Sequence, residues 1–276
     1  YRELINRFGS HKDGAIQLRV ARSMLNLAIA VGGEEEREGY RELINRFGSH
    51  VNSIFELEVA QAMFNLALES QGEEERQGYR ELINRFGSHK DDTIQLQVVR
   101  AMLNLALESQ GEEERQGYRE IINRFGSHKD DAIQLRVARS MYNLAVGAEG
   151  EEKRQGFQEI IERFSQNKDD AIQLMVARSM LGLVFESNAE DEEKACGDII
   201  KRFSDSDNEE ILIVVARAQI FLANLLSKKN KTREAGAIIH SFHELGRLIG
   251  ETDEYKKLKE RATFIEELSN SEKNKS

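Results

Sequence analysis

Apolar side chains recur along this chain with the period of a helix, and the helices recur with a longer period of their own. In DAIQLRVARSMYNLAV, which starts at Asp131, residues Val137, Met141, Leu144 and Ala145 stand at i, i+4, i+7 and i+8 and so share one helical face. In EEERQGYREIINRF, which starts at Glu112, residues Tyr118, Ile121, Ile122 and Phe125 stand at i, i+3, i+4 and i+7. These two patterns, helix A and helix B, alternate with short polar links. No stretch alternates with the period of two that a half-buried strand would show.

The alternation repeats every 39 residues. YRELINRFGSH begins at Tyr1, Tyr40 and Tyr79, YREIINRFGSH at Tyr118, and FQEIIERFSQN at Phe157. Cys196 and Ala235 continue the same column, and Phe8, Phe47, Phe86, Phe125, Phe164, Phe203 and Phe242 keep the spacing to the end. One helix pair of this size cannot bury its own apolar face, so neighbouring pairs must stack, and a period in this range predicts a solenoid. The expected organisation is a lone helix B in 1–13 and six hairpins in 14–52, 53–91, 92–130, 131–169, 170–208 and 209–247. A capping helix and a tail follow in 248–276, with Leu258, Ala262, Ile265 and Leu268 turned inward. Opening inside a helix B, the chain reads as a piece of a longer array.

Punctuation comes from glycine and aspartate. Gly111 can take a left-handed conformation between A and B, with Glu112 to Glu114 on the positive end of helix B. Gly126 is expected to stop helix B, and Asp130 or Asp131 to cap the next helix A. The chain has no proline, where average usage of about 5% would supply roughly fourteen. Glu42 and Arg46, Glu81 and Arg85, Glu120 and Arg124, and Glu159 and Arg163 stand at i, i+4 on helix B and are expected to pair on a solvated outer face.

In helix A, Met24, Leu27 and Ala28 are followed by the small Gly39 of helix B, and the set recurs as Met63, Leu66, Ala67 with Gly78, Met102, Leu105, Ala106 with Gly117, and Met141, Leu144, Ala145 with Gly156. With VARSMLNLA followed by YRELINRFG, these residues resemble the tetratricopeptide (TPR) repeat family over residues 1 to about 247. The resemblance implies an all-α, right-handed superhelix of antiparallel helix-turn-helix repeats with helix A on the concave side. Departures are the period of 39 rather than 34 and the missing closing proline. HEAT-like hairpins are the alternative fold.

On that reading the concave side carries Arg22, Arg100, Arg139, Arg178 and Arg217 in one column and Asn26, Asn65, Asn104 and Asn143 one turn further on, with Leu25, Phe64, Leu103, Tyr142 and Leu181 as exposed neighbours. Asparagine can donate to and accept from an extended peptide backbone, and arginine forks suit carboxylates. Alternatively, each Arg pairs with an acid on an adjacent helix and each Asn makes a solvated or inter-helix bond. From copy five onward Gly182, Phe185, Phe221 and Leu225 depart from the pattern, so the last third reads something different or is a less regular core.

Composition narrows the classes. A net charge of -10 speaks against nucleic acid, and against the RNA-reading pentatricopeptide repeats. No run of eighteen apolar residues predicts a membrane span, and one cysteine in 276 residues speaks for a reducing, cytoplasmic setting without disulfides. His11, His50, His89 and His128 lie one repeat apart, too far for a shared metal, and read as solvated loop residues. His240 and His243 lack further ligands, and Cys196 reads as a core substitution in the tyrosine column. No catalytic constellation, cofactor motif or metal site stands out. The expected function is a protein-interaction scaffold whose groove holds a peptide or protein partner, acidic or with a free carboxylate. Two alternatives are a sensor arm of a larger signalling enzyme and a self-associating module that dimerises through its end faces.

Overall fold

The structure, a computed structural model, describes residues 1–49, 54–186, 191–250 and 252–273, with side chains to residue 267. His50 and the side chain of Leu268 therefore lie outside the described residues. Contacts cluster into two units, Tyr1–Ser140 and Met141–Ser276. The first unit holds α1 (Arg2–Phe8), α2 (Gly14–Val31), α3 (Gly33–Phe47), α4 (Glu56–Leu68), α5 (Glu73–Phe86), α6 (Asp92–Leu107) and α7 (Gly111–Phe125). The boundary falls within α8 (Asp131–Val146). The second unit continues with α9 (Gly150–Phe164), α10 (Asp170–Phe185), α11 (Asp191–Phe203), α12 (Glu209–Lys228), α13 (Thr232–Ile249) and α14 (Asp253–Lys273). No strand occurs among the described residues.

Each unit is an all-α repeat solenoid in which odd-numbered helices to α13 are of type B and even-numbered ones of type A. Helix B packs on the A before it in α2–α3, α4–α5, α6–α7, α10–α11 and α12–α13, and on the A after it in α1–α2, α3–α4, α5–α6, α9–α10, α11–α12 and α13–α14. Within the units A helices also pack closely on one another, α2 with α4, α4 with α6, α10 with α12 and α12 with α14, whereas the B helices of the first unit stand further apart and meet through long side chains, as Arg37 with Glu74 and Arg76 with Glu113. Closer approach on one side means that each unit curves with its A helices inward. α12 is long and apolar enough to cross a membrane, but most of it is buried against α10, α11, α13 and α14.

The core follows the columns of the repeat. Tyr40, Tyr79 and Tyr118 on helix B are buried with Leu43, Leu82 and Ile121 and with Phe47, Phe86 and Phe125, and Cys196 and Ala235 fill the tyrosine position in later copies. Val137, Met141 and Ala145 are buried as expected, while Leu144 and Ile122 are only half-buried. The hairpin closes where small residues meet: a Cβ added to Gly39, Gly78, Gly117 or Gly156 would lie 2.7–2.8 Å from the Cβ of Ala28, Ala67, Ala106 or Ala145. That is far inside the ordinary carbon contact distance of about 3.5–4.0 Å. Hence the two helices can be this close only where one of them lacks a side chain.

Asp13, Asp91 and Asp169 cap their A helices by accepting backbone N–H bonds, and Asp130 accepts from Ile133 at 3.0 Å, which decides between the two candidate aspartates. Gly111 has φ +61 and opens helix B rather than closing helix A. Gly126 does not stop helix B by a left-handed turn, since its φ is -53. The last carbonyls of a helix need outside donors, and two side chains supply them. Gln95 Nε2 donates to the carbonyls of Phe86 (3.1 Å) and His89 (2.6 Å), and Gln17 and Gln173 do the same in their own copies.

The second donor is the arginine expected to pair at i, i+4. Arg46 donates to Gly9 O of the preceding copy and to Gln17 Oε1 of its own hairpin, Arg85 to Gly48 O, Arg124 to Gln95 Oε1, and Arg202 to Ser165 O and Gln173 Oε1. Arg163 donates weakly to Met141 Sδ at 3.9 Å. Each guanidinium in this column also covers the phenyl ring of the next residue, at 5.0–5.1 Å for Arg46, Arg85, Arg124, Arg163 and Arg202. Glutamates at i-4 offer only weak exposed pairs, so the arginine goes to carbonyls at a helix C-terminus, where the dipole adds attraction. The carbonyl bonds join one copy to the one before it, and the glutamine bonds tie helix B to helix A within a hairpin. Loop histidines also brace the hairpin and are not merely solvated: His89 Nδ1 accepts from Asp91 N–H (3.0 Å) and its Nε2 lies 3.1 Å from Glu56, while His128 Nε2 lies 3.3 Å from Asp92.

Candidate functional site

The inner face of the A helices carries the residues expected to bind. Most of its arginines have acids of their own. Arg22 Nε lies 2.8 Å from Glu58 Oε1, with Arg22 60% exposed and Glu58 only 3%, Arg178 lies 2.9 Å from Glu210, and Arg217 pairs with Glu254. In each pair the acid comes from the next A helix, which is the adjacent-helix arrangement. The acid position is not kept throughout: in the copies of Glu58 it becomes Gln97, Arg136, Met175 and Val214. Accordingly Arg100 and Arg139 have no acidic partner among the described residues. Arg100 accepts no charge partner but stacks over Phe64 at 4.1 Å and donates to Gln97 at 3.0 Å, and its burial lowers its affinity for the proton. Arg139 is exposed.

Asparagines are used in part. Asn65 Nδ2 donates to Tyr40 OH at 3.3 Å and Asn104 Nδ2 to Tyr79 OH at 2.9 Å. The tyrosine hydroxyls in turn donate to Glu36 (2.5 Å) and Glu75 (3.2 Å), with Tyr118 donating to Glu114 (2.9 Å). This chain of bonds satisfies phenols inside the core, where an unpaired hydroxyl is costly. Burial, opposed by the asparagine bond and reinforced by Glu75, pushes Tyr79 up to about 12. The remaining amide hydrogen and the carbonyl of Asn65 and of Asn104 are left for other partners. Asn26 is exposed, Asn143 and Tyr142 are half-buried, and Tyr142 meets Phe157 at 5.8 Å.

The expected exposed neighbours are a correction. Leu25, Phe64, Leu103 and Leu181 are buried, because adjacent A helices close over them. The exposed apolar column lies four residues further on. Ile29, Leu68 and Leu107 in the first unit are 54%, 48% and 53% exposed, and Val146 and Phe185 in the second are 48% and 60% exposed. They stand at i+7 from the arginine column and i+3 from the asparagine column, so all three share one helical face. Their common spacing of 39 was legible, but position near the helix end suggested no role.

The outer side is also patterned. Because B helices stand further apart than A helices, a cleft opens between successive ones, of about 410, 400 and 450 Å³ in the first three places. Its lining recurs: Ile5, Ile44 or Ile83 on one wall, and Met24, Met63 or Met102 on the floor. In the second unit a cleft of about 730 Å³ lies instead on the A side, between α10, α12 and α14.

No group of three or more His, Cys, Asp or Glu side chains that could hold a metal occurs among the described residues. Burial, then the charge of Glu192, pushes the Cys196 thiol up to about 12, which suits a packing residue and not a nucleophile at neutral pH. Fold and surface together define an α-helical repeat protein with a patterned inner face. The chain matches no family model and no curated protein in the comparisons.

Proposed function

We propose that this chain is a tetratricopeptide-type protein-interaction scaffold, and that a segment of a partner protein lies along the inner face of its A helices. The observation that carries this reading is the exposed apolar column at Ile29, Leu68 and Leu107, continued in the second unit by Val146 and Phe185. Large exposed side chains scattered singly need no explanation, but five at one repeat position do. Beside them lie the spare amide groups of Asn65 and Asn104 and the acid-free Arg100 and Arg139. Together they favour a partner segment with apolar side chains and carboxylates. The small-residue contacts from Gly39–Ala28 to Gly156–Ala145 support the tetratricopeptide assignment. A cytoplasmic setting fits the single buried thiol.

The test is a partner captured on the immobilised chain, identified, purified and titrated by calorimetry. Leu68→Ser with Leu107→Ser should weaken it at any salt concentration. Arg100→Ala with Arg139→Ala should weaken it chiefly at low salt, since exposed charges are screened within about 10 Å at 0.1 M. Unchanged affinity in both double variants removes the inner face from consideration.

A further inference from the structure

The second unit departs from the repeat on its inner face, beside a cleft between α10, α12 and α14. Phe221 occupies the column that holds Asn26, Asn65, Asn104 and Asn143, and Phe185 ends the exposed apolar column. The two rings meet edge to face at 5.3 Å. Across the cleft α14 presents Phe264, as exposed as Phe185. Ile220 and Ile265, both buried, make an apolar floor below the three rings. A cleft of about 730 Å³ is within the range of ligand sites, roughly 300–1,000 Å³.

Charge gives the cleft a sign. Arg217 and Glu254 neutralise one another at one end. Lys257 and Arg261 stand one turn apart on α14, exposed, with no acidic partner among the described residues, and only Glu260 opposes them on the rim. On a chain of net charge -10 this is a local reversal.

We propose that the cleft between α10, α12 and α14 docks an acidic amphipathic helix of a partner protein. Its apolar side chains enter among Phe185, Phe221 and Phe264, and its carboxylates meet Lys257 and Arg261. Such a helix presents anchors at i, i+3, i+4 and i+7 to an apolar groove. The proposal rests on the reading of the inner face as a binding surface and names the partner chemistry for its last three A helices.

The chain contains no tryptophan, so Phe264→Trp places a single reporter in the cleft of the full chain. The probe is a synthetic helix of about sixteen residues with Leu and Phe at the anchor positions and Glu on its flanks. A second peptide carries Lys in place of Glu. The acidic peptide should blue-shift the reporter and saturate. Its affinity should fall about tenfold or more on Lys257→Glu with Arg261→Glu. A similar loss is expected on Phe221→Asn, which restores the residue of the first four copies. Circular dichroism should stay unchanged in both variants. Equal binding of the two peptides, a silent reporter, or full binding to the charge-reversed variant overturns the proposal. So does a shift produced by phosphatidylserine vesicles and by neither peptide, which assigns the cleft to a membrane surface. Leu68→Ser with Leu107→Ser touches no residue of the cleft and separates the two readings. If partner binding survives that variant while the acidic peptide still requires Lys257 and Arg261, the cleft stands and the column fails. Loss of the partner with a silent reporter is the converse.

Discussion

Gly117→Ala sets two energies of known sign against each other. Gly117 lies inside α7, and its added Cβ would come 2.7 Å from the Cβ of Ala106 on α6. Alanine is favoured over glycine in a helix interior by about 0.8–1 kcal/mol. Against this, relieving the overlap to an ordinary contact of about 3.5–4.0 Å requires the two helices to part by roughly 1 Å. Forcing an extra carbon into a packed contact costs about 1–3 kcal/mol. The net expectation is a loss of about 1 kcal/mol. Gly236, inside α13, has nothing within 4 Å of its added Cβ, so Gly236→Ala should show the propensity gain alone. One substitution therefore takes opposite signs at two helical sites. Moving the methyl group from one helix to the other, with Ala106→Gly and Gly117→Ala together, should relieve the overlap. The double variant should exceed the sum of the singles by about 1–2 kcal/mol, within the range seen for residues in contact. Urea unfolding of the full chain, followed by circular dichroism with equal m-values, measures all four. The close-approach argument is refuted if Gly117→Ala stabilises as Gly236→Ala does, or if the double variant shows no coupling.

Arg202→Lys should destabilise the second unit by about 1–2 kcal/mol in the same assay, because lysine cannot bond Ser165 O and Gln173 Oε1 while covering Phe203; an unchanged midpoint would mean that the arginine contributes nothing across copies. Burial, opposed by the Tyr79 hydrogen bond and reinforced by the charge of Glu108, raises the Glu75 carboxyl above its ordinary value. A raised folded value gives stability that is complete below the unfolded pKa and is lost as pH rises through the folded one. Glu75→Gln should therefore stabilise at pH 7 and not near pH 3, and a gain that persists in acid contradicts the charge argument. The Cys196 thiol should resist an aromatic disulfide reagent at pH 8 in native buffer and react fully in denaturant, whereas equal rates in the two would place it at the surface.

The repeat made the fold legible because like positions have like surroundings. Tyr40, Tyr79 and Tyr118 sit in equivalent core sites, and the later Cys196 and Ala235 could be placed by column alone. What the sequence concealed was the choice among partners at different distances along it. Glu42 is one helical turn from Arg46, but the groups Arg46 bonds lie 37 and 29 residues back, at Gly9 and Gln17. Leu25 and Phe64 stand next to Asn26 and Asn65 on the face read as open, yet contact between A helices buries them, and that contact depends on curvature that helical periodicity does not encode.

Repetition itself cannot distinguish a binding ladder from a structural one, since duplication copies both. Pairing can. Arg22 repeated beside a buried Glu58, and Asn65 repeated beside a buried Tyr40 hydroxyl, are accounted for by the bonds they make. Exposed Ile29, Leu68 and Leu107 are repeated with no such account, and packing alone gives no reason to keep a large apolar residue there. Phe185 and Phe221 carry the argument further. In the same columns where earlier copies hold aliphatic residues and asparagines they place two rings beside an open cleft, with Phe185 exposed and Phe221 half-buried where a less regular core would bury both. A position that breaks the repeat toward the surface is more informative about binding than one that keeps it.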